Sequence, residues 1–99
     1  MILVVLRSRV RPEAADAYSR LANEMREIAR TMPGFISVKS YFAEDGEKVT
    51  VHEWESAEHL QAWSEHPEHL KTKQRGREEF FEDYTVFTCD DPKISPFSR

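Results

Sequence analysis

Apolar positions recur with two periods along this chain, and the places where one period gives way to the other mark the elements. Residues 2–10, ILVVLRSRV, are rich in β-branched side chains. Their first half is apolar on both alternating sets, Ile2, Val4 and Leu6 against Leu3 and Val5, which predicts a strand wanting cover on both faces. Pro12 then opens a helix with Glu13 and Asp16 in the first turn, where the helix dipole favours acids. Tyr18, Leu21, Met25, Ile28 and Met32 follow at three- and four-residue steps as one apolar stripe. Met32-Pro33-Gly34 ends it, because the residue before proline disfavours helix and glycine permits a tight turn.

The period returns to two in FISVKSYF (35–42) and in VTVHEWE (49–55), joined by AEDGEK with its Asp45-Gly46 hairpin signal. Ser56 suits the N-cap of a second helix running through Glu65, with Leu60 and Trp63 inward. Pro67 suits the first turn of a further helix over 67–82, where Leu70, Gln74, Arg77 and Phe81 fall on one stripe. YTVFTC (84–89) alternates as a fourth strand, and residues 90–99 form a polar tail with two prolines. The order β-α-β-β-α-β predicts a single α+β domain over 1–89 of the ferredoxin-like split βαβ type, with an antiparallel four-stranded sheet and helices on one face.

Such a sheet is bare on its other face in a monomer. In the third strand Thr50, His52 and Trp54 share one face and Val49 and Val51 the other. In the second, Phe35 and Tyr41 oppose Ile36, Val38 and Phe42. Large apolar groups on both faces predict an interaction surface, and two sheets stacked face to face would give a symmetric homodimer.

Composition narrows the classes. A length of 99 residues with 39% hydrophobic and 32% charged positions describes one globular domain. The net charge of -4 argues against nucleic acid as a partner, and the basic run Lys71, Lys73, Arg75, Arg77 is interleaved with Glu78 and Glu79 as a solvated helix face would be. Cys89 stands alone, which excludes an internal disulfide or a cysteine zinc site. The apolar start MILVVL stops at Arg7, short of a membrane span and unlike a signal peptide, so a cytoplasmic protein with no membrane partner is expected.

The chemistry-bearing residues gather around WSEHPEHLKTKQRGREEF, 63–80. His66 and His69 could place two metal ligands on one turn, with Glu68 or His59 as a third, but Pro67 between them starts a new helix. His66 otherwise reads as a junction residue between two helices or as a base in a pocket. His52 faces with Trp54 and lines either a pocket or a subunit interface. Trp63 is either core or a substrate platform. Arg77 on an apolar stripe requires a carboxylate, such as Glu53, or a ligand.

The first strand ending in RSRVRPE, then PGFISVKSYF, the junction VHEWESAEHLQAW and the HP step together resemble the antibiotic biosynthesis monooxygenase family of dimeric α+β barrel proteins. The resemblance implies a ferredoxin-like protomer, a homodimer, and a pocket between sheet and helices in which aromatic or quinol-like molecules are oxidised with O2 and no cofactor. It also admits a non-enzymatic small-molecule-binding dimer. The haem-degrading branch is matched at Trp63 only; no asparagine stands near Arg7 and no histidine near Lys73. Cofactor-free oxygenation needs a base, groups that hold an anion, and an apolar box. The expected base is His66 or His52. Arg77, Arg7, Gln74 and Tyr41 are expected to hold oxygens, and Trp54, Trp63, Phe80 and Phe81 to shape the box. No metal is expected.

Overall fold

The period of two in the first segment becomes β1 (Ile2–Val10), followed by a single 3-10 turn at Pro12–Ala14 and α1 (Ala15–Thr31). Then come β2 (Phe35–Phe42), β3 (Lys48–Trp54), α2 (Ala57–Ser64), α3 (Pro67–Arg75), a wide π turn at Gly76–Phe80 and β4 (Phe81–Asp90). The structure is a computed structural model describing residues 1–99. The four strands lie in the order β2-β3-β1-β4, every neighbouring pair antiparallel. This is the ferredoxin-like α+β fold. No helix is long and apolar enough to cross a membrane.

The core lies between the sheet and α1 and α2. Ile2 and Val4 from β1, Trp54 from β3, Met25 and Ala29 from α1, and Trp63 from α2 form one buried cluster, with Leu21, Ile28, Met32, Phe35 and Leu60 packed against it. The α1 stripe read from the sequence is the stripe that packs. Only ten of 99 residues are buried, because strand alternation sends Leu3, Val5, Val49 and Val51 to the sheet face that no helix covers. Phe87 and Tyr41 on that face are 49% and 56% exposed.

Where α1 ends, Met32 turns to extended backbone and Gly34 adopts a φ of +83°. A Cβ on Gly34 would overlap the His59 ring, so this glycine is required twice, for its dihedral and for the close approach. Gly34 also accepts from the Glu55 N–H at 2.8 Å, which ties the exit of α1 to the start of α2. Ser56 caps α2 by accepting from the His59 N–H at 3.2 Å. His59 is thereby a packing residue at this joint.

Two expectations are corrected. The helix over 67–82 stops at Arg75 and widens into the π turn, so Phe81 opens β4. Gly76 makes the turn possible, since a Cβ there would come within 2.7 Å of the Phe81 ring. The turn buries Phe80, whose carbonyl accepts from the Arg11 N–H at 2.8 Å. In β2 a register irregularity between Phe35 and Ser37 sets Phe35 opposite Trp54 and Val38 opposite His52. Phe35 and Val38 therefore line the same helix-facing side, where strict alternation had opposed them.

Candidate functional site

A cavity of about 450 Å³ opens between the helix-facing side of the sheet and helices α1, α2 and α3. That volume lies in the range of small-molecule sites, and its walls are mostly apolar. One end is an aromatic stack. Trp54 lies on Trp63 with ring centroids 6.2 Å apart, and Trp63 lies on His69 at 4.3 Å with planes 10° apart. Phe35 meets Trp54 edge-on at 5.6 Å.

Two histidines face this cavity, and their hydrogen bonds fix opposite tautomers. The Trp54 indole N–H donates to His52 Nδ1 at 2.7 Å. An indole nitrogen only donates, so His52 Nδ1 is the bare acceptor and its proton sits on Nε2. His69 Nδ1 lies 3.0 Å from the Trp63 carbonyl oxygen, which only accepts, so His69 carries its proton on Nδ1 and keeps the lone pair of Nε2 free. The cavity thus holds one imidazole donor and one imidazole acceptor. Burial pushes His52 down to about 4, and the nearby His69 adds to the fall. Burial likewise pushes His69 down to about 4, against the support of the Trp63 carbonyl, with Lys73 and His66 adding to the fall. Both rings are neutral at pH 7.

The other end is polar. Lys48, at the start of β3, places its ammonium 4.9 Å from the centre of the Tyr18 ring. Arg26 of α1 joins the same wall and donates to Asn23 Oδ1 at 2.9 Å. Burial raises the Tyr18 phenol and lowers the Lys48 ammonium, the latter with a further push from Arg26. At the rim, Arg77 donates from Nε to the Tyr84 hydroxyl at 2.6 Å.

Of the residues expected from the sequence, His52, Trp54, Trp63, Arg77 and Phe81 line the cavity. The other five do not. His66 accepts the Glu68 N–H at Nδ1 as the N-cap of α3 and is not in the cavity wall. Arg7 points from the opposite sheet face and pairs with Glu47 at 3.1 Å. Tyr41 is on that same opposite face, and Gln74 on the outside of α3 donates to Glu78 Oε1 at 3.2 Å. Phe80 is buried against Tyr18, outside the cavity wall, at a centroid distance of 5.9 Å. Glu53 is not the partner of Arg77; it accepts from the Ser37 hydroxyl. His66 and His69 serve separate backbone partners, and no three His, Cys, Asp or Glu side chains converge as a ligand set.

Sequence reasoning reaches His69 only as a companion of His66, and it misses Tyr18, Arg26, Lys48, Lys73 and Tyr84 as cavity residues. The signal for the α3 members was present. His69, Thr72, Lys73 and Gly76 recur at three- and four-residue steps and are the inner stripe, while Leu70, on the stripe chosen by hydrophobicity, is 50% exposed. An inner face that lines a polar-studded cavity is not the most apolar face of its helix.

The antibiotic biosynthesis monooxygenase family model matches residues 1–75 of the chain. The chain is 35% identical over 82 residues to the uncharacterized protein YqjZ of Bacillus subtilis, covering 83% of this chain and 72% of that one. Among solved structures, Rv0793 from Mycobacterium tuberculosis superposes with a TM-score of 0.84 at 23% identity, covering 96% of this chain and 98% of that chain. SnoaB, a cofactor-independent oxygenase from Streptomyces nogalater, superposes with a TM-score of 0.80 at 14% identity, over 97% of both chains. On the family match and the YqjZ relationship, the chain belongs to the antibiotic biosynthesis monooxygenase family.

Proposed function

We propose that the protein is a cofactor-independent monooxygenase of an electron-rich phenol, hydroquinone or anthrone. The observation that supports this most is the opposed pair of imidazoles, His52 donating and His69 accepting, beside the Trp54–Trp63 stack. An enolisable or phenolic substrate in the cavity beside that stack gives its proton to His69 Nε2, and the oxygen of the resulting anion is held by the His52 Nε2–H. The anion then passes one electron to O2. Recombination of the radical pair forms a carbon–oxygen bond and a peroxide. Loss of water from the peroxide leaves a carbonyl at the oxidised carbon: one oxygen atom enters the product, and the other leaves as water with two substrate hydrogens. The substrate supplies all the electrons, so the reaction calls for no further reductant.

The depressed proton affinity of His69 bears on this step. A buried neutral imidazole is a weak base when the cavity is empty, but a developing anion beside it stabilises the imidazolium and raises that affinity. The same depressed affinity favours a second reading, in which the dimer binds an aromatic molecule without turning it over. Oxygen uptake with an anthrone separates the two.

The proposal includes a homodimer. The uncovered sheet face carries Leu3, Val5, Val49, Val51 and Phe87, and stacking two such faces removes it from water.

A further inference from the structure

The charge on the cavity wall is one-sided. Arg26, Lys48, Lys73 and Arg77 line it, and no aspartate or glutamate does, although the chain holds 18 acidic residues against 14 basic ones. None of these four has a carboxylate within ion-pair distance, whereas half of the ten basic side chains outside the cavity do: Arg7, Arg9, Arg30, Lys71 and Arg75. Arg26 has only the neutral Asn23 amide, Lys48 only the face of Tyr18, and Arg77 only the Tyr84 hydroxyl. Two like charges, Lys48 and Arg26, thus share the half-buried end of an apolar cavity with nothing to neutralise them. Such an arrangement costs stability in the empty protein and is relieved by an anion.

We propose that Lys48 and Arg26 form an anion subsite, and that the molecule taken by this cavity is an aromatic acid whose carboxylate sits there while its oxidisable ring lies in the apolar part of the cavity beside His52 and His69. This rests on the functional reading above and adds the charge of the substrate to it. The layout fits such a molecule. Lys48, Thr50, His52 and Trp54 alternate along one face of β3, so the cation and the imidazole pair are four residues apart, roughly 13 Å at about 3.3 Å per residue. Side chains reaching inward from both ends shorten that to a span that fused aromatic rings bearing a carboxylate can bridge. Burial holds the Lys48 ammonium below its ordinary proton affinity, and a bound carboxylate reverses that shift.

The test compares two product-like probes that differ only in charge, anthraquinone-2-carboxylate and anthraquinone-2-carboxamide, by quenching of the tryptophan fluorescence. The carboxylate is expected to bind about ten- to a hundredfold more tightly, the worth of a charge-assisted contact in a half-buried site. Added salt should narrow the difference. In Lys48→Met and Arg26→Gln, checked for folding by thermal melts, carboxylate affinity should fall toward that of the carboxamide. Equal affinities in the unsubstituted protein, no binding of either probe, or a preference untouched by both substitutions would overturn the subsite. Oxygen uptake with a neutral anthrone is scored separately. Uptake without carboxylate preference removes the subsite and leaves the oxygenase; preference without uptake of any anthrone, the carboxylate included, does the reverse.

Discussion

The indole N–H of Trp54 donates to Nδ1 of His52 at 2.7 Å, from two positions along the same strand. Trp54 is fully buried and stacked on Trp63, so it is a rigid donor, and the His52 tautomer follows from it. Replacing Trp54 with Phe keeps an aromatic ring and deletes the donor. The expected results are a loss of about 1–3 kcal/mol in stability, from the unsatisfied acceptor, and a second tautomer of His52. Nitrogen chemical shifts of the imidazole check the latter: Nε2-protonated in the parent protein, mixed in Trp54→Phe.

His66 and His69 are three residues apart and are expected to respond differently. His66→Ala removes the cap of α3 and should cost about 0.5–2 kcal/mol of stability, read by denaturant unfolding. Its effect on binding of an aromatic ligand should be small, because the ring is not in the cavity wall. His69→Ala removes one face of the Trp63 stack, and the ligand-induced quenching of the tryptophan fluorescence should weaken with it.

Acid should destabilise the fold in a defined window. His52 and His69 ordinarily titrate at 6.5 and are held at about 4 in the folded protein, chiefly by burial. Below 6.5 the unfolded chain takes up protons that the folded one refuses, so stability falls with pH through that window and levels off near 4. The penalty is on the order of 3 kcal/mol per histidine at the acid end. Urea unfolding at steps from pH 7.5 to 4 should show it, and His52→Gln should flatten the slope.

The exposed sheet face predicts association. Sedimentation should give twice the 11.6 kDa protomer mass at micromolar concentration. Val51→Lys places a charge in the middle of that face and should return the mass to that of the protomer.

The fold was legible because its longest signals are local. Tyr18, Leu21, Met25, Ile28 and Met32 specify one side of α1, Pro33-Gly34 ends it, and Asp45-Gly46 turns the hairpin. The site was only half legible. Alternation along β3 put His52 and Trp54 on one face, and that face is the cavity floor. The angle between α2 and α3 decides that His69, six residues past Trp63, stacks on it while His66 caps outward, and no period in the chain encodes an interhelical angle. The β2 irregularity at Phe35 and the π turn after Arg75 defeat alternation and helix counting for the same reason. Each inserts a residue's worth of backbone that the pattern on either side does not announce.

Arg77 changed meaning most. An arginine on an apolar stripe predicted a buried guanidinium with a carboxylate. It is an exposed side chain at the cavity rim whose Nε–H meets the Tyr84 hydroxyl, because the π turn rotates it away from the stripe. Arg77 lines the same cavity as Lys73, which extends the one-sided charge beyond Lys48 and Arg26.

The most direct measurement is oxygen consumption by the purified protein with an anthrone or hydroquinone substrate, bearing a carboxylate or neutral, in the presence of a chelator. The account predicts uptake of one O2 per substrate oxidised above the uncatalysed background, with the rate reduced about a hundredfold or more in His69→Gln, which keeps a polar side chain but no comparable base. Uptake equal to background with both substrates, or an undiminished rate in His69→Gln, would contradict it.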